Sequence, residues 1–389
     1  MRISVAIALG LVSCFTGACS GDGDPVRAPA HTSETPTAVI DAGLRYDAAY
    51  PKGDPSGPDP VVDGYDASAE AAAPPAPFTA PEGEWTWIDV PGNVCANGSA
   101  TGVGVNLTQA SDDVLIFMEG GGACWDAAGC WGSVPTAFYV AGYGKAEFDA
   151  DPQRSPMLPL KRDNVKNPFH TMNMIYVPYC TGDVHAGSNL AIYQVNGAPK
   201  PTYHYGAKNF ETIVARTVAT FPHAKNVWIA GDSAGGFGAA LNFPRLQAAY
   251  PLVRVGVLDD SGQPVQPAPD RWNQWKAAWG LKPPADCPAC DGDVGAYVEY
   301  YRVTYPDSRF GLISYDTDGV ISTFMGLSGA DFATELKGLT ARMDTWPMSG
   351  YYIIQGSLHV GMLTADSPEL DTWMQRLVTY DPAWGDVKP

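Results

Sequence analysis

The stretch NVWIAGDSAGGFGAA, Asn226 to Ala240, decides how the rest of the chain is read. An apolar run from Val227 to Ala230 stops at Gly231, a lone serine follows at Ser233, and the text beyond it is small and glycine-rich. G-x-S-x-G between a strand and a helix is a nucleophile elbow, in which small neighbours let the backbone take a strained turn that lifts the hydroxyl clear of a sheet. The bland alternative is a glycine-rich helix start packed closely on its strand. What separates the two is the company the serine keeps, because a nucleophilic hydroxyl needs a base for its proton and a carboxylate to orient that base.

Further short apolar runs lie at Val114 to Met118, Met174 to Val177, Val253 to Leu258, Phe310 to Ile313 and Tyr352 to Ile354. Continuous apolar content without alternation marks strands buried on both faces. Ahead of Val227, Phe210, Ile213, Val214, Val218 and Phe221 share one helical face. Strand, helix, strand implies a right-handed crossover and a parallel sheet. Each run is followed by glycine and polar text: EGGGACW, PYCTGDVHAGS, GDSAGG, DDSG, SYDTDG and QGSLHVG. Open α/β sheets place their ligands at that carboxyl end. The expected fold is therefore α/β, mostly parallel, with helices on both faces.

In such hydrolases the chain order is Ser, acid, His. Of the six histidines only His359 follows Ser233, just past the last apolar run, which selects it as the base over a merely structural histidine. Thirteen acids lie between the two, and two pairs follow strands: Asp259 with Asp260, and Asp316 with Asp318. The acid usually leaves a later strand than the elbow, which prefers the second pair. Asp316 is chosen, then Asp318, with Asp260 as the outsider. For the oxyanion, the glycine loop offers the Gly121 and Gly122 amides and the residue after the serine offers that of Ala234.

The 389 residues are 45% hydrophobic and 11% aromatic, which is globular usage. Arg2 and the apolar run Ile3 to Val12 read as an export leader, too short to span a bilayer. Cys14 in LVSC and Cys19 in TGAC each end a stretch like those where bacterial lipoproteins are lipidated, so residues 1–19 predict a cell-envelope lipoprotein or a secreted protein. Residues 20–84 are rich in Pro, Ala, Gly and Asp and carry twelve acids against three bases, a net of −9. Such text cannot bury enough surface to offset its chain entropy and reads as an extended tether. With the chain at −18, residues 85–389 hold about −10 and show no basic stripe, which excludes nucleic acid and an anionic membrane surface as partners. The expected membrane contact is the lipid anchor alone, and the expected state is a monomer.

Six more cysteines, Cys95, Cys124, Cys130, Cys180, Cys287 and Cys290, suit disulfides in an exported chain. CPAC has no second CxxC and no histidine pair to complete a metal site, so no metal or other cofactor is expected.

FMEGGGACWDAAGC, VPYCTGDVHAG, GDSAGGFGA, DDSG, SYDTDG and the late His359 together resemble the pectin acetylesterase and Notum family of carboxylesterases, from about Trp85 to the C-terminus. The resemblance implies an α/β-hydrolase-like fold and a metal-free Ser-His-Asp triad of Ser233, His359 and Asp316. It also implies Cys124 with Cys130, Cys180 with Cys95, and Cys287 with Cys290 as a local pair. Plant members place an aromatic directly after the glycines, whereas here Ala123 and Cys124 precede Trp125.

Trp125, Asp183 and His185 are expected to contact substrate. An insert at 263–308 reads as a cap, with Trp272, Trp275 and Trp279 on one helical face, either packing it down or lining a pocket. The expected activity is removal of small acyl groups, O-acetyl above all, from a polysaccharide or related ester. The negative charge disfavours a polyanionic one. The alternatives are a longer-chain or aromatic carboxylesterase and an inactive surface-binding lipoprotein.

Overall fold

The computed structural model describes residues 75–388 except 152, 153, 155 and 366. The expected leader, Cys14, Cys19 and the tether up to residue 74 lie outside the described residues. Within them, no helix is long and apolar enough to cross a membrane.

Among the described residues ten strands run in chain order: β1 Thr86–Val94, β2 Ala100–Asn106, β3 Val114–Met118, β4 Asn173–Val177, β5 Asn189–Val195, β6 Ala198–His204, β7 Val227–Asp232, β8 Val255–Asp260, β9 Phe310–Tyr315 and β10 Ser349–Ile354. Eight form one sheet in the order β1-β2-β4-β3-β7-β8-β9-β10, and β5 with β6 form a separate hairpin. From β4 to β10 every pairing is parallel, and β1 and β2 add an antiparallel edge.

The parallel strands are apolar throughout because both faces are covered. Val114, Ile116 and Met118 of β3 join Phe210, Ile213 and Leu246 in one layer. Leu115 and Phe117 face Phe169, Trp373 and Leu377 in the other. That is the period-two alternation of a pleated strand, hidden in the sequence because both sides are greasy. The helix Gly206–Thr220 buries Phe210, Ile213 and Val214, as its spacing predicts. The helix Ala234–Ala249 runs through Pro244, whose ring nitrogen has no hydrogen to give the preceding turn.

Two expectations need correcting. Residues 75–84 belong to the folded body, not to a tether. Phe78 is buried, its N–H donates to Thr220 Oγ1 at 2.8 Å, and Arg216 lies 4.4 Å over its ring. A single aromatic in Pro/Ala text makes no periodic signal, so only packing reveals it. The hairpin β5-β6 was also unread, although Asn196-Gly197, at φ 51° and 79°, is the turn pair such hairpins favour.

The 263–308 insert holds the helices Arg271–Trp279 and Val294–Thr304. Trp272, Trp275 and Trp279 are buried in the core. Trp275 and Trp279 stack at 5.2 Å, and Trp279 Nε1 donates to Cys124 O at 2.8 Å. They pack the cap down onto the core. Disulfides join Cys95 to Cys180, Cys124 to Cys130 and Cys287 to Cys290.

One contact in the sheet is open to a direct stability test. A Cβ at Gly256 of β8 would come within 2.5 Å of the Trp228 ring on β7, and both residues are buried. Gly256→Ala is expected to lower unfolding stability by about 1–3 kcal/mol through overpacking. Denaturant titration of wild type and variant measures it.

Candidate active site

Ser233 stands at the end of β7, where the helix Ala234–Ala249 begins, at φ 54° and ψ −120°. A non-glycine residue there is strained, and strain persists only where the surroundings enforce it. The surroundings do. A Cβ at Gly231 would sit 2.2 Å from Gly235 O, one at Gly235 would sit 2.0 Å from Met118 O, and one at Gly236 would sit 2.3 Å from Asp259 Oδ1. The helix is thus driven against the ends of β3 and β8, and Ser233 N–H donates to Asp260 O at 2.7 Å. Glycines at 231, 235 and 236 are what this turn requires.

His359 follows β10, and its Nδ1 lies 2.8 Å from Asp318 Oδ2. Asp318 is fully buried, and its Oδ1 caps the helix Gly319–Met325 by accepting from the N–H groups of Val320 and Ile321. Both oxygens face donors, so Nδ1 carries the ring proton and Nε2 keeps its lone pair. The expected acid, Asp316, is not the carboxylate beside the ring. Asp316 still belongs to the strand ladder, its N–H donating to Ile354 O, and its Oδ1 accepts from Gly356 N–H at 2.9 Å. Two more residues of turn are needed to bring a carboxylate to the ring. The acid and histidine loops are zipped together by Thr317 N–H to Gly356 O and Gly319 N–H to Ser357 O.

The glycine loop follows β3. Gly121 and Gly122 are at φ 144° and 79°, and a Cβ at Gly122 would meet Thr136 O at 2.1 Å. Phe138 N–H donates to Gly121 O and Ala123 N–H to Thr136 O. That pairing engages neither Gly121 N–H nor Gly122 N–H. Ala234 is the first residue of its helix, where N–H groups have no intrahelical acceptor.

Of the residues expected to touch substrate, two are buried and hydrogen-bonded within the protein. Asp183 is fully buried; its carboxylate accepts from Thr181 Oγ1 and from the N–H groups of Gly187 and Gly206, tying the loop after β4 to the helix behind it. His185 is buried against Tyr179, its Nε2 2.8 Å from Glu119 O, and burial holds its imidazole below the ordinary value. Both build the floor. Trp125 is half-buried, against Trp275 and beneath Arg271.

Two residues carry more of the site than the sequence reading gave them. Asp260, weighed there only as an outside choice of triad acid, is buried. Its Oδ1 accepts from Gly361 N–H at 2.9 Å and its Oδ2 from Met362 N–H at 2.7 Å. Ser261 Oγ bridges from Val360 N–H to the same carboxylate. Asp260 therefore holds the chain just past His359 instead of the ring itself. Asp232, directly before the serine, accepts from Gly120 N–H at 3.1 Å. Burial, opposed by the hydrogen bonds and by His359, pushes the Asp260 carboxyl up to about 6. Burial and the Asp260 charge push that of Asp232 up to about 7. The signal for both was their place at the carboxyl ends of adjacent central strands.

A family model described as Pectinacetylesterase matches residues 85–274. Palmitoleoyl-protein carboxylesterase NOTUM of Homo sapiens is 28% identical over 176 residues, 43% of this chain and 34% of that protein. Pectin acetylesterase 7 of Arabidopsis thaliana is 31% identical over 182 residues, 44% of this chain and 42% of that protein. These matches span less than half the length of either curated relative. The crystal structure of the Wnt deacylase Notum from Drosophila superposes with a TM-score of 0.59, covering 78% of this chain and 97% of that one at 16% identity, which is a likeness of α/β-hydrolase-like fold. The Pectinacetylesterase match spans the glycine loop, the elbow and the start of the cap, and over those residues the chain is similar to the pectin acetylesterase and Notum family.

Proposed function

We propose that the protein is an exported serine carboxylesterase that removes small acyl groups, O-acetyl above all, from a glycan or related ester. The observation that carries this is the strained Ser233 turn bonded to the same residue, Asp260, whose carboxylate suspends the His359 loop, with Asp318 against His359 Nδ1. Ser233 Oγ attacks the ester carbonyl carbon while its proton passes to His359 Nε2. The oxyanion forms against the Gly121, Gly122 and Ala234 amides. The alcohol leaves with the proton from His359, and water, deprotonated by the same nitrogen, releases the acid and restores Ser233. The three disulfides among the described residues suit the oxidising compartment that export implies.

A second reading, a longer-chain or aromatic carboxylesterase, draws on the rim. Phe138 beside Gly121, Val320 just after Asp318, and Leu358 and Leu363 on either side of His359 are exposed apolar side chains. Such a rim suits an apolar acyl or alcohol group.

Hydrolysis of a p-nitrophenyl ester series from acetate to palmitate separates the readings, the first expecting a rate maximum at acetate and the second a maximum at longer chains. Ser233→Ala is expected to lower kcat by about 10³-fold or more. Wild-type turnover by that variant would contradict both.

The acid assignment has its own test. Asp318→Asn is expected to lower kcat by about 10³- to 10⁴-fold by allowing the wrong histidine tautomer, while Asp316→Asn stays within about tenfold of wild type. Steady-state kinetics of the two decides, and the reverse ranking would restore Asp316.

A further inference from the structure

Of the buried carboxylates that the mechanism above leaves unused, Asp232 and Asp260 are bonded to the loops that carry the chemistry. Asp232 reaches sideways to Gly120 N–H at the start of the glycine loop. A Cβ at Gly120 would meet Asp232 Oδ2 at 2.6 Å and Ser233 Cβ at 3.0 Å, so loop, carboxylate and nucleophile turn are in direct contact. Asp260 reaches the other way, to Gly361 and Met362 N–H.

We propose that Asp232 and Asp260 are positioning residues for the acyl-transfer centre: they fasten the glycine and histidine loops to the nucleophile turn, and the charge of Asp232 favours the imidazolium formed when Ser233 attacks. The proposal rests on the serine-esterase reading.

The groups facing these carboxylates come from every neighbouring strand end. Asp232 meets Gly120 N–H from the loop after β3, Asp260 from β8 and the charge of His359 from the loop after β10. Asp260 meets Ser261 Oγ, the Gly361 and Met362 amides and the His359 charge, and the buried Asp259 carboxyl adjoins it in sequence. Asp318 is the further acid on His359. Two like charges in a dry site hinder each other's ionisation. A cation arising on His359 relieves that repulsion, so the pair interacts more favourably with the transition state than with the resting enzyme.

Stability and activity then depend on pH in opposite senses. Asp232, with its folded value raised to about 7 above an ordinary aspartate near 4, binds a proton in the folded state that the unfolded chain has released, so its contribution to stability falls as pH rises across that window. The charge that weakens the fold is the one that serves His359.

The experiment is the pH profile of short-ester hydrolysis for the full chain, with Asp232→Asn and Asp260→Asn beside wild type, and melting temperatures at pH 5 and pH 8. Wild type is expected to lose about tenfold in kcat on the acid side as Asp232, raised to about 7, takes up its proton. Asp232→Asn is expected to lack that step and to keep about a tenth of the wild-type kcat, with little change in KM. Its melting temperature relative to wild type is expected to be higher at pH 8 than at pH 5. Asp260→Asn, left with one carbonyl oxygen for two amides, is expected to lose more kcat.

An Asp232→Asn enzyme with the wild-type limb and kcat, or one uniformly less stable at both pH values, would overturn the proposal. Wild-type turnover by Ser233→Ala would instead sink the esterase reading beneath it.

Discussion

The hydrogen bond from Ser233 N–H to the carbonyl of Asp260 is the contact on which the rest of the site depends. It fixes the nucleophile turn to the end of the next strand. Through the same residue's carboxylate it also fixes that turn to the amides after His359. Serine and histidine are 126 positions apart in the chain, yet both answer to one aspartate on a buried central strand. A site built this way has its loops fastened to the rigid ends of the sheet.

Backbone strain follows the same geometry. Ser233, Ser261 and Val360 all take positive φ, at 54°, 63° and 61°, and Val360 is β-branched, for which that region is most costly. They are linked in a short relay from Val360 N–H to Ser261 Oγ to Asp260. Strained residues cluster where the surroundings over-determine them, and here those surroundings are the ends of β7 and β8 and the loop after β10. Behind the site, Asp183, His185 and Glu119 form a second layer. Glu119 accepts from Tyr179 N–H and, by burial, is held well above the usual carboxylate range.

Much of this was legible in the sequence, and the reasons are physical. The parallel strands announce themselves because burial on both faces demands unbroken apolar runs, and the elbow because only glycine fits where Gly231 and Gly235 meet backbone oxygens. His359 stands where chain order places the base. Which carboxylate lies beside its ring was not legible, because Asp316 and Asp318 are two residues apart on a turn whose path depends on the pairing of β9 with β10. The edge strand β1 was hidden by Pro91, Gly92 and a shift of register between Asp89 and Val94. Asp183 and His185 read as pocket residues because polar groups after a strand usually face the ligand, whereas these turn inward to satisfy buried amides and a carbonyl. Sequence can place a polar residue at the right end of the sheet; its direction is set by tertiary packing.

That Ser233 is a nucleophile activated by His359 is open to chemical labelling. The most direct test is to treat the protein with a serine-directed alkyl fluorophosphonate and map the adduct by mass spectrometry, with His359→Ala as control. A single phosphonyl group is expected on the peptide containing Ser233 in wild type, with labelling at least about 10³-fold slower in the variant. An unmodified Ser233 peptide after prolonged treatment, or equal labelling rates in the two proteins, would contradict it.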